Sequence, residues 1–151
     1  LGSTSIVIQS HIIGMFLPSL ITGRLIKKFG HSTIIYSGAL IYLICIFLSF
    51  YDQTFINYLI ALVLLGIGWN FLFIGGTSLL VLCYQENEKF KVQGFNDVLV
   101  FSIQSIASLT AGYSILKFSW NEINLACIPL VLLIILVSIR ADIYKKNIID
   151  A

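Results

Sequence analysis

The chain has 151 residues, 58% of them hydrophobic and only 11% charged, with a net charge of +2 and a mean hydropathy of +0.98. Soluble domains are about 25% charged, so this composition excludes a water-soluble globular fold. The small net charge gives no basis for nucleic-acid binding. What remains is an all-α fold, a polytopic transmembrane helical bundle in contact with membrane lipid.

A spanning helix needs about 20 mostly apolar residues, and the uncharged runs predict five of them. They cover Ser5–Gly23, Ser32–Tyr51, Phe55–Leu82, Asp97–Leu116 and Glu122–Ile139, with short links at Arg24–His31, Asp52–Thr54, Cys83–Asn96 and Lys117–Asn121. Pro18 and Pro129 fall within spans, where proline kinks a helix and frees a carbonyl. Expected caps are Ser32 for the second span, Asn96 for the fourth and an S-x-x-E capping box at Ser119–Glu122 for the fifth. Cys45, Cys83 and Cys127 lie in apolar runs without metal-ligand spacing and are expected to be buried free thiols. The chain opens on Leu1 and its only methionine is Met15, so it is expected to be the C-terminal part of a longer protein.

Eight of the nine basic residues fall after the first, third or fifth span, and only Lys117 falls on the other side. The excess of Lys and Arg marks the cytoplasmic face, which puts the C-terminus inside. His11 and His31 are then on opposite sides of the membrane.

Helical spacing sorts the polar residues. In the first span His11, Gly14 and Pro18 share a face; in the third, Gly66, Asn70, Phe73 and Thr77; in the fourth, Asp97, Phe101, Gln104, Ser108 and Gly112. The third span holds the organising stretch Gly66–Thr77, with four glycines, Trp69 and Asn70 inside the charge-free run Gln53–Gln85. A polar group at membrane depth faces protein or water, so these three helices are expected to line a cavity. The second and fifth spans carry few polar residues and are expected to be peripheral, lipid-facing scaffold. His11 is a proton carrier or a hydrogen-bonded packing residue. Gln104 and Ser108 line a path or bond to a neighbouring helix. Asp97 is a helix cap or a functional acid. No G-x-S-x-G, H-E-x-x-H, P-loop or paired carboxylates occur, so neither an enzymatic role nor a cofactor or metal is expected.

The loop Gly23-Arg24-Leu25-Ile26-Lys27-Lys28-Phe29-Gly30-His31 resembles the G-x-L-x-D-R-x-G-R loop of the major facilitator superfamily. The stretches His11–Ser19, Gly66–Thr77 and Gln93–Asp97 look similar to bacterial members, so the resemblance covers most of the chain. It implies twelve helices in two halves, this chain being helices eight to twelve of the second half, with the N-terminal half and helix seven missing. Location in a bacterial inner (plasma) membrane follows. In that register the third and fourth spans face inward, and the second and fifth are peripheral. Gly23, Lys27, Lys28 and Gly30 then form the gating loop, with Lys27 standing where the family has an acid. Asp97 corresponds to an acid that pairs with the first-half loop in some members.

The function implied is secondary active transport of a small-molecule solute by alternating access, driven by a coupling proton or other ion or by the solute's own gradient. His11, Gly66, Asn70, Thr77, Gln104 and Ser108 would line the path. The competing class is a non-transporting membrane scaffold or assembly subunit. A channel is disfavoured by the lack of a charged ring or filter repeat.

Overall fold

Pro18 divides the first predicted span. The computed structural model describes residues 2–51 and 54–149, and in it helix α1 (Gly2–Phe16) and helix α2 (Ser19–Phe29) meet at a 40° bend. The basic stretch expected as a loop is therefore mostly helix. Lys27 and Lys28 sit in the last turn of α2, where positive charge complements the helix dipole. The link to α3 (His31–Tyr51) is Gly30 alone, at φ +86°, a conformation glycine adopts without steric cost. This tight junction brings Ser32 inside the first turn of α3, so Ser32 is not the cap expected. Its hydroxyl instead donates to Asp142 on the last helix.

Helix α4 (Phe55–Leu80) starts at Thr54, whose side chain accepts from the Asn57 N–H at 3.4 Å. Of the link expected at Asp52–Thr54, Asp52 and Gln53 lie outside the described residues. After α4 the chain passes through two single 3₁₀ turns, Val81–Cys83 and Glu86–Glu88. It then enters α5 (Lys89–Lys117) about two turns ahead of the expected start. Gln85 and Glu88 form a reciprocal capping box there, which leaves Asn96 and Asp97 inside the helix rather than at its end. Helix α6 (Trp120–Ile149) opens with the predicted box: Ser119 N–H donates to Glu122 Oε2 at 2.7 Å, and Glu122 N–H to Ser119 Oγ at 3.3 Å.

Four described helices are long and apolar enough to span a membrane, and a fifth span results if α1 and α2 count as one. Helix α4 packs against α1 and α3, and α3 packs in turn against α6. The buried residues Ala39, Ile46 and Val131 hold the second contact together, with Tyr42, Leu43, Leu72, Ile128 and Ile135 around them. The expectation of a peripheral, lipid-facing α3 fits one side of the helix, while its other side is packed against α4 and α6. Leu40, Ile44 and Phe47 do form an outward stripe, but Ile35, Gly38, Ala39, Ile46 and Ser49 on the opposite side are buried. The thiols are corrected too: all three are free, yet only Cys45 is buried, donating to the Ala61 carbonyl at 3.1 Å. Cys83 and Cys127 are exposed, Cys127 at the edge of an apolar groove that α6 shares with Tyr42 and Cys45 of α3.

Candidate substrate pathway

The bend at Pro18 leaves carbonyls at the end of α1 without intrahelical donors. Asn70, from the middle of α4, closes the gap. Its Nδ2 donates to the Met15 carbonyl at 2.7 Å, and its Oδ1 accepts from the Thr22 hydroxyl of α2 at 2.7 Å. The same hydroxyl lies 2.8 Å from the Pro18 carbonyl, and the Ser19 hydroxyl donates to Phe16 O at 2.5 Å. Asn70 is 1% exposed, and Thr22 is fully buried. One carboxamide therefore ties the two halves of the broken span to α4.

His11 and Gly66 belong to the same seam. His11 Nδ1–H donates to the Leu62 carbonyl at 2.8 Å, pinning α1 to α4 one turn from Gly66. A Cβ on Gly66 would lie 2.5 Å from the His11 carbonyl oxygen and 2.9 Å from Met15 N; one on Gly14 would lie 2.8 Å from the Val63 carbonyl oxygen. The two backbones touch because neither residue has a side chain. Three predicted path residues thus come together, but at a packed joint.

The other three lie elsewhere. Thr77 donates to its own helix, at 2.7 Å from Phe73 O. Gln104 and Ser108 sit on the exposed surface of α5, in a shallow, open groove lined by that helix alone, with Phe101, Ser105 and Leu109. Neither makes a hydrogen bond among the described residues, whereas Ser105 bonds back to Phe101 O at 2.7 Å.

The α4 stripe read from the sequence splits between two neighbours. Gly66 and Asn70 turn to α1 and α2, while Phe73 turns to α5. Trp69 and Phe73 stack with centroids 4.6 Å apart and planes 10° from parallel. Phe16 of α1 meets Trp69 edge-on at 6.5 Å, and Phe101 of α5 meets Phe73 at 6.5 Å and 54°. This row of rings joins the three helices that the sequence marked as cavity-lining.

At the charged end, Gly23, Lys27, Lys28 and Gly30 are all exposed on α2 and its terminus, with Lys28 Nζ 5.0 Å from the Phe29 ring centroid. Asp97 is exposed, and its carboxylate is 3.4 Å from Asn96 Nδ2. Sequence reasoning missed the clamp between α3 and α6, in which the Ser32 hydroxyl donates to Asp142 and the Tyr36 hydroxyl donates to it at 2.8 Å. The available signal was Ser32 and Tyr36 at i, i+4 with one acid late in α6. Among the described residues no group of three His, Cys, Asp or Glu side chains could hold a metal.

The sequence profile described as Major Facilitator Superfamily matches residues 1–147. The chain belongs to the major facilitator superfamily. Over 128 residues it is 36% identical to a riboflavin transporter of Brucella anthropi, covering 85% of this chain and 32% of that protein. Two uncharacterized MFS-type transporters of Bacillus subtilis are similar. YddS is 35% identical over 141 residues, covering 87% of this chain and 32% of its own; for YdeG the figures are 36% over 127 residues, 83% and 30%. The chain thus spans about a third of the length of the curated relatives it matches. No solved structure matches it. Membrane helices carry broken backbone only where protein or water satisfies it, and at Pro18 the Asn70 carboxamide and the Ser19 hydroxyl do so.

Proposed function

We propose that this chain is helices eight to twelve of a secondary transporter that moves a small solute by alternating access across a bacterial inner membrane, with its C-terminus in the cytoplasm. The observation that carries this reading is the joined break at Pro18. Discontinuous helices near the bilayer midplane are a recurring part of transporter sites, and here a buried Asn70–Thr22–Met15 joint holds one in a bundle of this superfamily. Gln104, Ser108 and Thr77 form part of the wall, and the remaining wall comes from the other half of the protein. His11 holds α1 against α4 by one ring nitrogen and leaves the other for a coupling proton. The last turn of α2, with Lys27 and Lys28, and the Gly30 junction form the cytoplasmic end of this span, and Asp97 is half of a gate between the two halves.

Similarity to a riboflavin transporter makes a flavin the first solute to try. The test is uptake by the full-length protein in proteoliposomes, with riboflavin, amino acids and sugars supplied in turn. Uptake of at least one solute, lowered severalfold by Gln104→Leu at equal reconstitution, supports the proposal. Failure to move any solute by a monodisperse preparation, under either an inward or an outward ion gradient, favours the non-transporting scaffold instead.

A further inference from the structure

We infer that α2 is a hinged arm at the charged end of the bundle, pivoting at Pro18 and latched at its far end, through Gly30 and α3, by Asp142 of α6. The inference rests on the transporter reading for what the swing of the arm serves, but not for the swing itself.

The pivot lies where the ladder of helix bonds is interrupted. Pro18 has no N–H to donate, and α1 and α2 meet there at 40°. The two sides of the bend are held unequally. Helix α1 is fixed backbone to backbone on α4, since Cβ atoms on Gly14 and Gly66 would lie 2.8 Å and 2.5 Å from carbonyl oxygens of the facing helix, and His11 bonds the Leu62 carbonyl one turn away. Of α2, only Thr22 and Ile26 are buried, and a Cβ on Gly23 would meet nothing within 4 Å. The Thr22–Asn70 bond is one turn from Pro18, where rotation of the arm displaces atoms least. Its 11 residues make the arm about 16 Å long, so a swing of about 15° carries its end about 4 Å.

The far end is where the arm is tied. Gly30 alone joins it to α3, and its N–H donates to the Ile26 carbonyl at 2.8 Å. Glycine changes its backbone angles at little steric cost, so this end too is soft unless the start of α3 is held. It is held by Asp142. The Ser32 hydroxyl donates to one carboxylate oxygen, and the Tyr36 hydroxyl, one turn further on, donates to the other at 2.8 Å. Hydrogen bonds to an ionised acceptor are roughly twice as strong as neutral ones, so one acid of α6 fixes the point from which the arm hangs.

Behind the junction there is room to move. A cleft of about 330 Å³ is bordered by Phe29 and Gly30 at the end of the arm, Ile35 of α3, Leu79 of α4, and Ser138 and Asp142 of α6. An end packed at interior density moves only by forcing its neighbours apart, whereas this one has space beside it once the clamp opens.

The test is the distance between two spin labels on the full-length protein, in a background without other reactive cysteines. One label is at Lys28→Cys in the last turn of the arm, and the reference is at Gly76→Cys on α4, where a Cβ meets nothing within 4 Å. A single narrow distance is expected for the latched protein. Asp142→Asn, which keeps the shape and removes the charge, should shift or broaden it by about 3–5 Å, and Tyr36→Phe, which deletes one of the two bonds, by less. Pro18→Ala restores the missing donor and should make the distance insensitive to Asp142→Asn. Tyr36→Phe keeps its ring, so it carries the test if Asp142→Asn does not fold. Distances unchanged in the clamp variants overturn the latch, and a shift that persists in full with Pro18→Ala overturns the pivot. Uptake reads separately: labels that follow the clamp in a protein that moves no solute keep the arm and remove the transporter, and transport with a distance that ignores the clamp does the reverse.

Discussion

Asn70 sits where three backbone segments must be reconciled: the end of α1, the start of α2 and the middle of α4. Its carboxamide both donates and accepts, and here it does one of each, to Met15 O and from Thr22 Oγ1. Asn70→Leu leaves a buried carbonyl unpaired, which costs about 1–3 kcal/mol. Thr22→Val removes only the hydroxyl. The two changes should couple by about 0.6 kcal/mol, the average for polar contacts between membrane helices. A double-mutant cycle on unfolding of the full-length protein in mixed micelles checks this, and strictly additive losses would show that the two side chains do not act together. The sequence marked Asn70 as a polar group that must face protein or water, but not which. Its partners are 48 and 55 residues away, on a span whose exact break decides where they stand.

At the scale of elements, the seam between α1 and α4 depends on the missing side chains of Gly14 and Gly66. Gly66→Ala sets a methyl 2.5 Å from the His11 carbonyl, against backbone that cannot rotate away. The helices must separate, stretching the His11–Leu62 bond, at an expected cost of about 1–3 kcal/mol. Gly76→Ala on the same helix meets nothing within 4 Å and gains up to about 1 kcal/mol of helix propensity. The two variants should therefore shift the melting temperature of the full-length protein in opposite directions; equal shifts would contradict the seam. Element type was legible because apolar runs of spanning length leave few alternatives, but the break at Pro18 makes two helices of the first expected span. The ends were less so. The Ser119–Glu122 box was read correctly because both halves of its signal lie within four residues. Ser32 and Asn96 had the right side chains for caps, but the actual starts are set by Gly30 and by the Gln85–Glu88 box. Charge also misled, since the basic stretch after Gly23 is compatible with the last turns of a helix as well as with a loop.

For the whole molecule the main asymmetry is between α3, buried along one side between α4 and α6, and α5, which has no buried residue. Polar stripes led to the expectation of α5 as a wall helix, whereas the burial of α3 rests on small residues such as Gly38 and Ala39 that carry no polar signal. The basic residues predict that the link between α4 and α5 is cytoplasmic. Cys83 is exposed at the start of that link, so a membrane-impermeant maleimide should label it in inside-out vesicles and not in right-side-out ones, scored as the signal lost in Cys83→Ser. Labelling from the other side would invert the topology. Asp97 lies on the same half of α5. Among the described residues it has no ion pair, only the Asn96 amide at 3.4 Å, which leaves its carboxylate for the gate proposed above. If it locks the two halves in one state through a cation on the other half, removing its charge changes the balance of states without touching the solute site. Asp97→Asn should then alter transport severalfold while leaving the Kd for a bound solute within about twofold in the open state, because only the population of the competent state changes. Accessibility of a cysteine placed in the groove, measured from each side of the membrane, reads that balance directly. Unchanged accessibility together with unchanged transport would reduce Asp97 to a surface acid on a long helix.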